Sequence, residues 1–137
     1  MKNTKFFIIL LIIIEFFNGL SGLAGGFGLI SDPTAASLGM ELSWLEGTPF
    51  RNFLIPGIVL FVINGIGNSV AAILSIRKTR YFEMTGIVLG VVMMTWIISQ
   101  VAFIGYKNFL QPLYFSTGLI QTLLGIIIYK LNHKTFA

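Results

Sequence analysis

The chain has 137 residues, of which 55% are hydrophobic and only 10% charged, and carries a net charge of +4. This composition excludes an ordinary soluble domain and points to a bilayer. The absence of cysteine removes disulfides, thiolate metal sites and thiol redox chemistry.

Four apolar segments, at 6–30, 53–76, 84–106 and 109–129, each come near the roughly 20 residues that a helix needs to cross a membrane. Backbone groups in hydrocarbon must be hydrogen-bonded internally, so runs of this length are predicted to be helices. The first segment follows Lys2 and Lys5. Residues 6–14 have the character of a signal-peptide core, with Gly22 and Ala24 as small residues before a cut. Glu15 interrupts that core, however, and the apolar pattern runs on to Ile30, so a retained span is expected.

Residues 31–52 form the only long connection. Ser31-Asp32-Pro33 has the pattern of a helix start. One short helix is predicted over 34–40 and another over 42–46, before Gly47-Thr48-Pro49 breaks the chain. Leu38, Met40, Leu42, Trp44, Leu45 and Phe50 are too apolar for a freely solvated loop. They are expected to act as a lid on the bundle, a gate, or an anchor in the headgroup layer. Pro56 falls in the first turn of the second span, where proline is tolerated.

The second and third spans join through 77–83, and the third and fourth through Lys107-Asn108. Such short links make neighbours antiparallel. The predicted fold class is therefore an all-α transmembrane antiparallel four-helix bundle with a short extracytoplasmic cap, forming a single integral membrane domain over 1–137. Lys2, Lys5, Arg77, Lys78, Arg80, Lys130 and Lys134 then lie on one side. Arg51 and Lys107 lie on the other, with Asp32, Glu41 and Glu46. The positive-inside rule places both termini in the cytoplasm. That division by sides also argues against a nucleic-acid partner.

Polar residues recur at helical spacing. At about 100° per residue, Glu15, Asn18, Gly19, Gly22, Gly25 and Gly26 share one face of the first span. Phe16, Phe17, Leu20, Leu23 and Phe27 take the others. The corresponding stripes are Gly57, Asn64, Asn68, Ala71 and Ser75, then Gly86, Met93, Trp96 and Gln100, then Tyr114, Thr117, Gly118, Gln121 and Gly125. At about 1.5 Å per residue, Glu15, Asn18, Asn64, Asn68 and Gln121 all come near the middle of a core about 30 Å thick. These five residues form a candidate intramembrane polar or proton site. Trp96, Gln100 and Tyr114 form a candidate upper layer.

Glu15 is the only acidic residue expected well inside a span, with no Lys or Arg at its depth. An ionised carboxylate there is costly. It is expected to be protonated, to accept bonds from Asn18, Asn64, Asn68 or Gln121, or to face water. Two roles follow: a proton site able to exchange with a cation, or interhelical glue that fixes register.

Other patterns lead nowhere chemical. His133 stands alone in the tail, the glycine-rich run 19–28 lies inside a span and not after a strand, and no Ser/His/Asp set can assemble. No catalytic, metal or cofactor-binding residue is predicted. Asp32, Glu41 and Glu46 read as a solvated loop. The glycine faces allow a monomer or a homodimer, and the expected partners are the bilayer and another membrane protein.

Gly47-Thr48-Pro49-Phe50 leading to Leu54-Ile55-Pro56-Gly57, then Trp96 with Gln100, Gly105-Tyr106 and Leu110-Gln111-Pro112-Leu113-Tyr114, resembles a group of small four-span bacterial membrane proteins of uncharacterised function. The resemblance implies fold and location and carries no catalytic residues. Glu15 alone is similar to the membrane-embedded Glu in the first helix of small multidrug-resistance transporters, which have shorter loops. The expected function is a structural or accessory membrane protein that binds a partner or lipid. The alternative is proton-coupled transport of a small solute or cation through Glu15.

Overall fold

The computed structural model describes residues 2–36, 39–106 and 109–132. Leu38, Lys107, Asn108, His133 and Lys134 lie outside the described residues. Among those described the fold is all-helical: α1 (Lys2–Ser31), α2 (Leu54–Ile76), α3 (Phe82–Ile104) and α4 (Leu110–Asn132). All four are long and apolar enough to cross a membrane. At about 1.5 Å per residue α1 extends about 45 Å, beyond the hydrocarbon thickness, so it projects into the headgroup layer or tilts.

The helices stand in ring order, α1 against α2 and α4, and α3 against α2 and α4. The bundle has a terminal end, with the start of α1, the α2–α3 turn and the end of α4, and a loop end, with residues 32–53. Bulky residues such as Leu20 (61% exposed) and Phe27 (65%) face outward, as a lipid-facing surface requires. Small residues face inward. An added Cβ on Gly22 would meet the Gly65 nitrogen at 2.5 Å, and one on Gly26 would meet the Phe61 nitrogen at 2.6 Å. These pairs run in opposite directions along the two helices, so α1 and α2 are antiparallel and their backbones nearly touch. Gly90, Gly118 and Gly125 do the same between α3 and α4: a Cβ on Gly90 would lie 2.8 Å from the Gly118 carbonyl oxygen. Lipid tails supply no hydrophobic drive for helix pairing, so this close packing carries much of the association. The bundle is thus two tight hairpin-like pairs laid side by side.

The middle of α2 departs from α-helical form. Leu60–Ile66 is π-helical, and it lies against Gly22 and Gly26 of α1. Its wider turn buries the consecutive residues Asn64 and Gly65 against the neighbouring helix.

The loop corrects several local expectations. Ser31-Asp32-Pro33 ends α1, because Asp32 donates its N–H to the Gly28 carbonyl at 3.0 Å, the last bond of that helix. The predicted helix at 34–40 is interrupted at its start: Ala35 has φ +59°, the left-handed region, which no α-helix continues through. The second short helix forms as a single 3-10 turn, Leu42–Leu45. The Phe53 N–H bonds the Pro33 carbonyl at 2.9 Å and ties the two ends of the loop together. Ala35, Leu45 and Phe53 bury against Leu29, with Met40, Trp44 and Leu60 packed around them. Leu42 and Phe50 instead stay exposed. Of the apolar loop residues described, Met40, Trp44 and Leu45 therefore pack on the bundle end and Leu42 and Phe50 do not.

At the terminal end α3 begins at Phe82, two residues before the predicted start. Lys78 in the preceding turn has φ +51°. The shift brings Glu83 into the first turn of α3 and buries it.

Substituting Gly22→Val should destabilise the protein by about 1–3 kcal/mol through overpacking against the α2 backbone. Leu20→Val, on the outward face, should change stability little. Thermal unfolding in detergent compares them, and equal midpoints would contradict the close α1–α2 packing.

Candidate functional site

Gln121, fully buried on α4, is bonded to the other three helices. Its Oε1 accepts from Asn18 Nδ2 of α1 at 2.8 Å. Its Nε2 donates to Asn68 Oδ1 of α2 at 2.9 Å and to the Gly86 carbonyl oxygen of α3 at 2.9 Å. Asn68 Nδ2 donates in turn to the Asn64 carbonyl oxygen, inside the π-helical segment, at 3.0 Å. Gly86 admits this arrangement because it has no side chain between α3 and its neighbours.

Glu15 sits one turn nearer the terminal end and is separate from that network. The stripe alone predicts donors from Asn18, Asn64, Asn68 or Gln121. The structure instead gives the bond to Ser75, whose Oγ donates to Glu15 Oε1 at 2.7 Å. Donor accounting explains part of the difference. Both Gln121 N–H bonds are used on Asn68 and Gly86, Asn18 bonds Gln121, and Asn68 turns back to its own helix, whereas the Asn64 amide keeps its donors but makes no bond to the carboxyl. Glu15 is fully buried, and its Oε2 lies beside Gly86, 3.1 Å from where a Cβ would stand. Among the described residues that oxygen has no hydrogen-bond partner, nor do Asn18 Oδ1 and the two polar side-chain atoms of Asn64. All five predicted midplane residues are buried, but they divide into a bonded hub, an isolated carboxyl and an unpaired amide.

Toward the loop end a cavity of about 470 Å³ lies between the two helix pairs. Met40 and Trp44 of the loop border it, and Gly22, Gly25 and Met93 line its wall. Trp96, Gln100 and Tyr114 all face this cavity, so the predicted upper layer is brought together. Gln111 belongs to it as well: its Nε2 donates to Gln100 Oε1 at 3.0 Å and to the Gly105 carbonyl at 3.2 Å. Gln111 is missing from the predicted site although it continues the α4 stripe, three residues before Tyr114 and ten before Gln121. Ser75 was visible as part of a stripe, but its role depends on how far α2 is rotated about its axis. On the outer side Tyr114 stacks on Phe17, with ring centroids 5.9 Å apart.

Chemically, the cavity offers a mostly apolar, aromatic wall with a few amide and hydroxyl groups. This is the usual make-up of a site for a small molecule with an apolar body and a polar end. Among the described residues, no three His, Cys, Asp or Glu side chains gather into a metal-binding group. No protein-family model, curated protein or solved structure matches the chain.

Gln121→Leu should destabilise the bundle by about 1–3 kcal/mol, since it leaves Asn18, Asn68 and the Gly86 carbonyl short of partners. Asn64→Leu removes an amide whose side chain has no partner and should be neutral or stabilising. Chemical unfolding in mixed micelles separates the two, and an equal loss in both would refute the hub.

Proposed function

We propose that this protein is an accessory protein of the bacterial cytoplasmic membrane that binds a lipid-like molecule in its loop-end cavity, with no reaction of its own. The supporting observation is the cavity itself. It is about 470 Å³ in volume, lies between glycine-packed helix pairs, and is bordered by a loop that packs on the bundle through Leu45 and Phe53. Its aromatic and amide lining suits an amphipathic ligand with one apolar and one polar end. Both termini are cytoplasmic in this reading. The orientation is supported by Lys5, Arg77, Lys78, Arg80 and Lys130, which are exposed at the terminal end, against Asp32, Glu41, Glu46 and Arg51 at the other.

Gly25 lines the cavity, and a Cβ there would meet only the Leu60 side chain at 3.3 Å. Gly25→Leu should therefore obstruct the cavity while leaving the bundle folded. Native mass spectrometry after detergent exchange is expected to find a lipid-like adduct on the wild type and at least tenfold less on this variant (about 1.4 kcal/mol). An identical set of adducts at the same occupancies on both would reject the cavity as the site.

One observation favours a second reading, proton-coupled transport of a small solute or cation. Glu15 is fully buried and keeps Oε2 unpaired, an expensive arrangement if the carboxyl serves only to join helices. In this reading Glu15 exchanges its proton as solute passes. Proteoliposomes carrying a pH-sensitive dye should show solute-driven proton movement that Glu15→Gln abolishes and Asn64→Leu does not. Equal proton movement with Glu15→Gln would dismiss the transport reading.

A further inference from the structure

A second cavity, of about 480 Å³, opens at the terminal end between the start of α1, the α2–α3 turn and the end of α4. It is chemically unlike the first. Lys5 of α1 and Lys78 and Arg80 of the turn line it, together with the carboxylate residue Glu83. Ile8 and Phe82 are buried and supply an apolar floor. Charges of both signs thus meet over an apolar base, at the level where four spans end.

The positive part of this site has two sources. Three basic side chains reach the cavity from two segments, the start of α1 and the α2–α3 turn. The N-terminus of α3 opens there too, and its preceding residue Tyr81 makes no side-chain cap. Uncapped N–H groups and the positive end of a helix dipole favour an anion. The negative part is Glu83. It is only 4% exposed and forms no ion pair or hydrogen bond through its side chain with any described residue, although three cations share its cavity. Its carboxylate, buried in the bundle but lining the cavity, is an acceptor for a donor bound there. A simple anion would be drawn by the three cations and repelled by Glu83. A simple cation would face the reverse.

We infer that this cavity binds the headgroup of a membrane phospholipid bearing a primary ammonium beside its phosphate, of the phosphoethanolamine type. The phosphate lies against Lys5, Lys78, Arg80 and the start of α3, and the ammonium donates to Glu83. The apolar floor receives the glycerol end of the lipid. Three observations favour a lipid over a free phosphate ester. The cavity lies where the spans end, Ile8 and Phe82 form its base, and Phe6 and Tyr81, next in the chain to the lining residues Lys5 and Arg80, are exposed apolar side chains. The site is separate from the loop-end cavity and does not depend on what occupies that one.

The test is native mass spectrometry of the full chain from mixed micelles containing equal amounts of phosphatidylethanolamine, phosphatidylglycerol and phosphatidylcholine. The wild type is expected to retain phosphatidylethanolamine about tenfold over each of the others, the discrimination that one charge-assisted bond supplies. Phosphatidylglycerol has no ammonium, and the quaternary nitrogen of phosphatidylcholine has no N–H to donate. Glu83→Gln should lose the preference over phosphatidylglycerol. Arg80→Gln, in an exposed turn, should weaken retention of all three while keeping their order. Gly25→Leu should leave the preference intact, so failure of the loop-end cavity is read separately. No preference in the wild type, or a preference that survives Glu83→Gln, would overturn the inference. Soluble glycerophosphoethanolamine displacing the lipid at millimolar concentration would overturn the lipid assignment in favour of the free ester.

Discussion

Inside a bilayer a polar side chain that finds no protein partner has little else to bond, and the bundle is arranged around the amide of Gln121 for that reason. One carbonyl and one NH₂ group link α4 to α1, α2 and α3 at a single level. Because the amide's acceptor and two donors lie in one plane, their three partners must reach it from fixed directions. The rotation of each helix about its axis is thereby restricted. The glycine contacts then fix separation: α1 cannot approach α2, nor α3 approach α4, except along the rows where a Cβ is absent. The hydrogen bonds set register and the glycines set distance, and neither alone would define the bundle.

The π-helical segment follows from both demands. Leu60–Ile66 lies where α2 is pressed against Gly22 and Gly26, and it contains Asn64, whose carbonyl accepts from Asn68. A π turn disturbs the regular i→i−4 pairing, and a side-chain amide from the next turn takes up the Asn64 carbonyl. Such segments often mark functional positions. Here Leu60, at the start of the π stretch, lines the loop-end cavity, while Asn64, within it, holds an amide with no side-chain partner. The local unwinding thus links the hub to the cavity wall.

The division between inward and outward faces could be read from the chain because it depends on residue spacing alone. Every member of the α2 stripe, Gly57, Asn64, Asn68, Ala71 and Ser75, is buried, as are Glu15, Asn18, Gly19, Gly22 and Gly26 of α1. Pairing across helices was not readable in the same way. Whether Glu15 meets Ser75 or Asn68 turns on helix rotation and on which donors are already used, and one helix's period contains neither. Nor could the π segment be seen, since no residue type is peculiar to it. Glu83 was assigned to a loop because hydropathy locates a span's ends only to within a turn, and two residues decide whether a carboxylate is solvated or buried. In the loop, composition signalled packing, but the left-handed turn at Ala35, a residue with no special liking for it, gave no sign in advance.

The isolation of Glu15 from the hub bears on both readings of the protein. Were the carboxyl bonded to Gln121, its protonation would alter the contact joining all four helices, and it would be hard to titrate without loosening the bundle. Bonded to Ser75 alone, it can gain or lose a proton while the Asn18–Gln121–Asn68 network stays in place. Successive turns of the α1 stripe then lead from Glu15 through Asn18 to Gly22 at the cavity wall. Unpaired oxygen atoms stand at Glu15 and Asn18, and the unpaired amide of Asn64 lies across from Gly22. Proton exchange at Glu15 would thus leave unmoved the contacts that join the four helices, since they run through Asn18, Gln121 and Asn68 and not through the carboxyl.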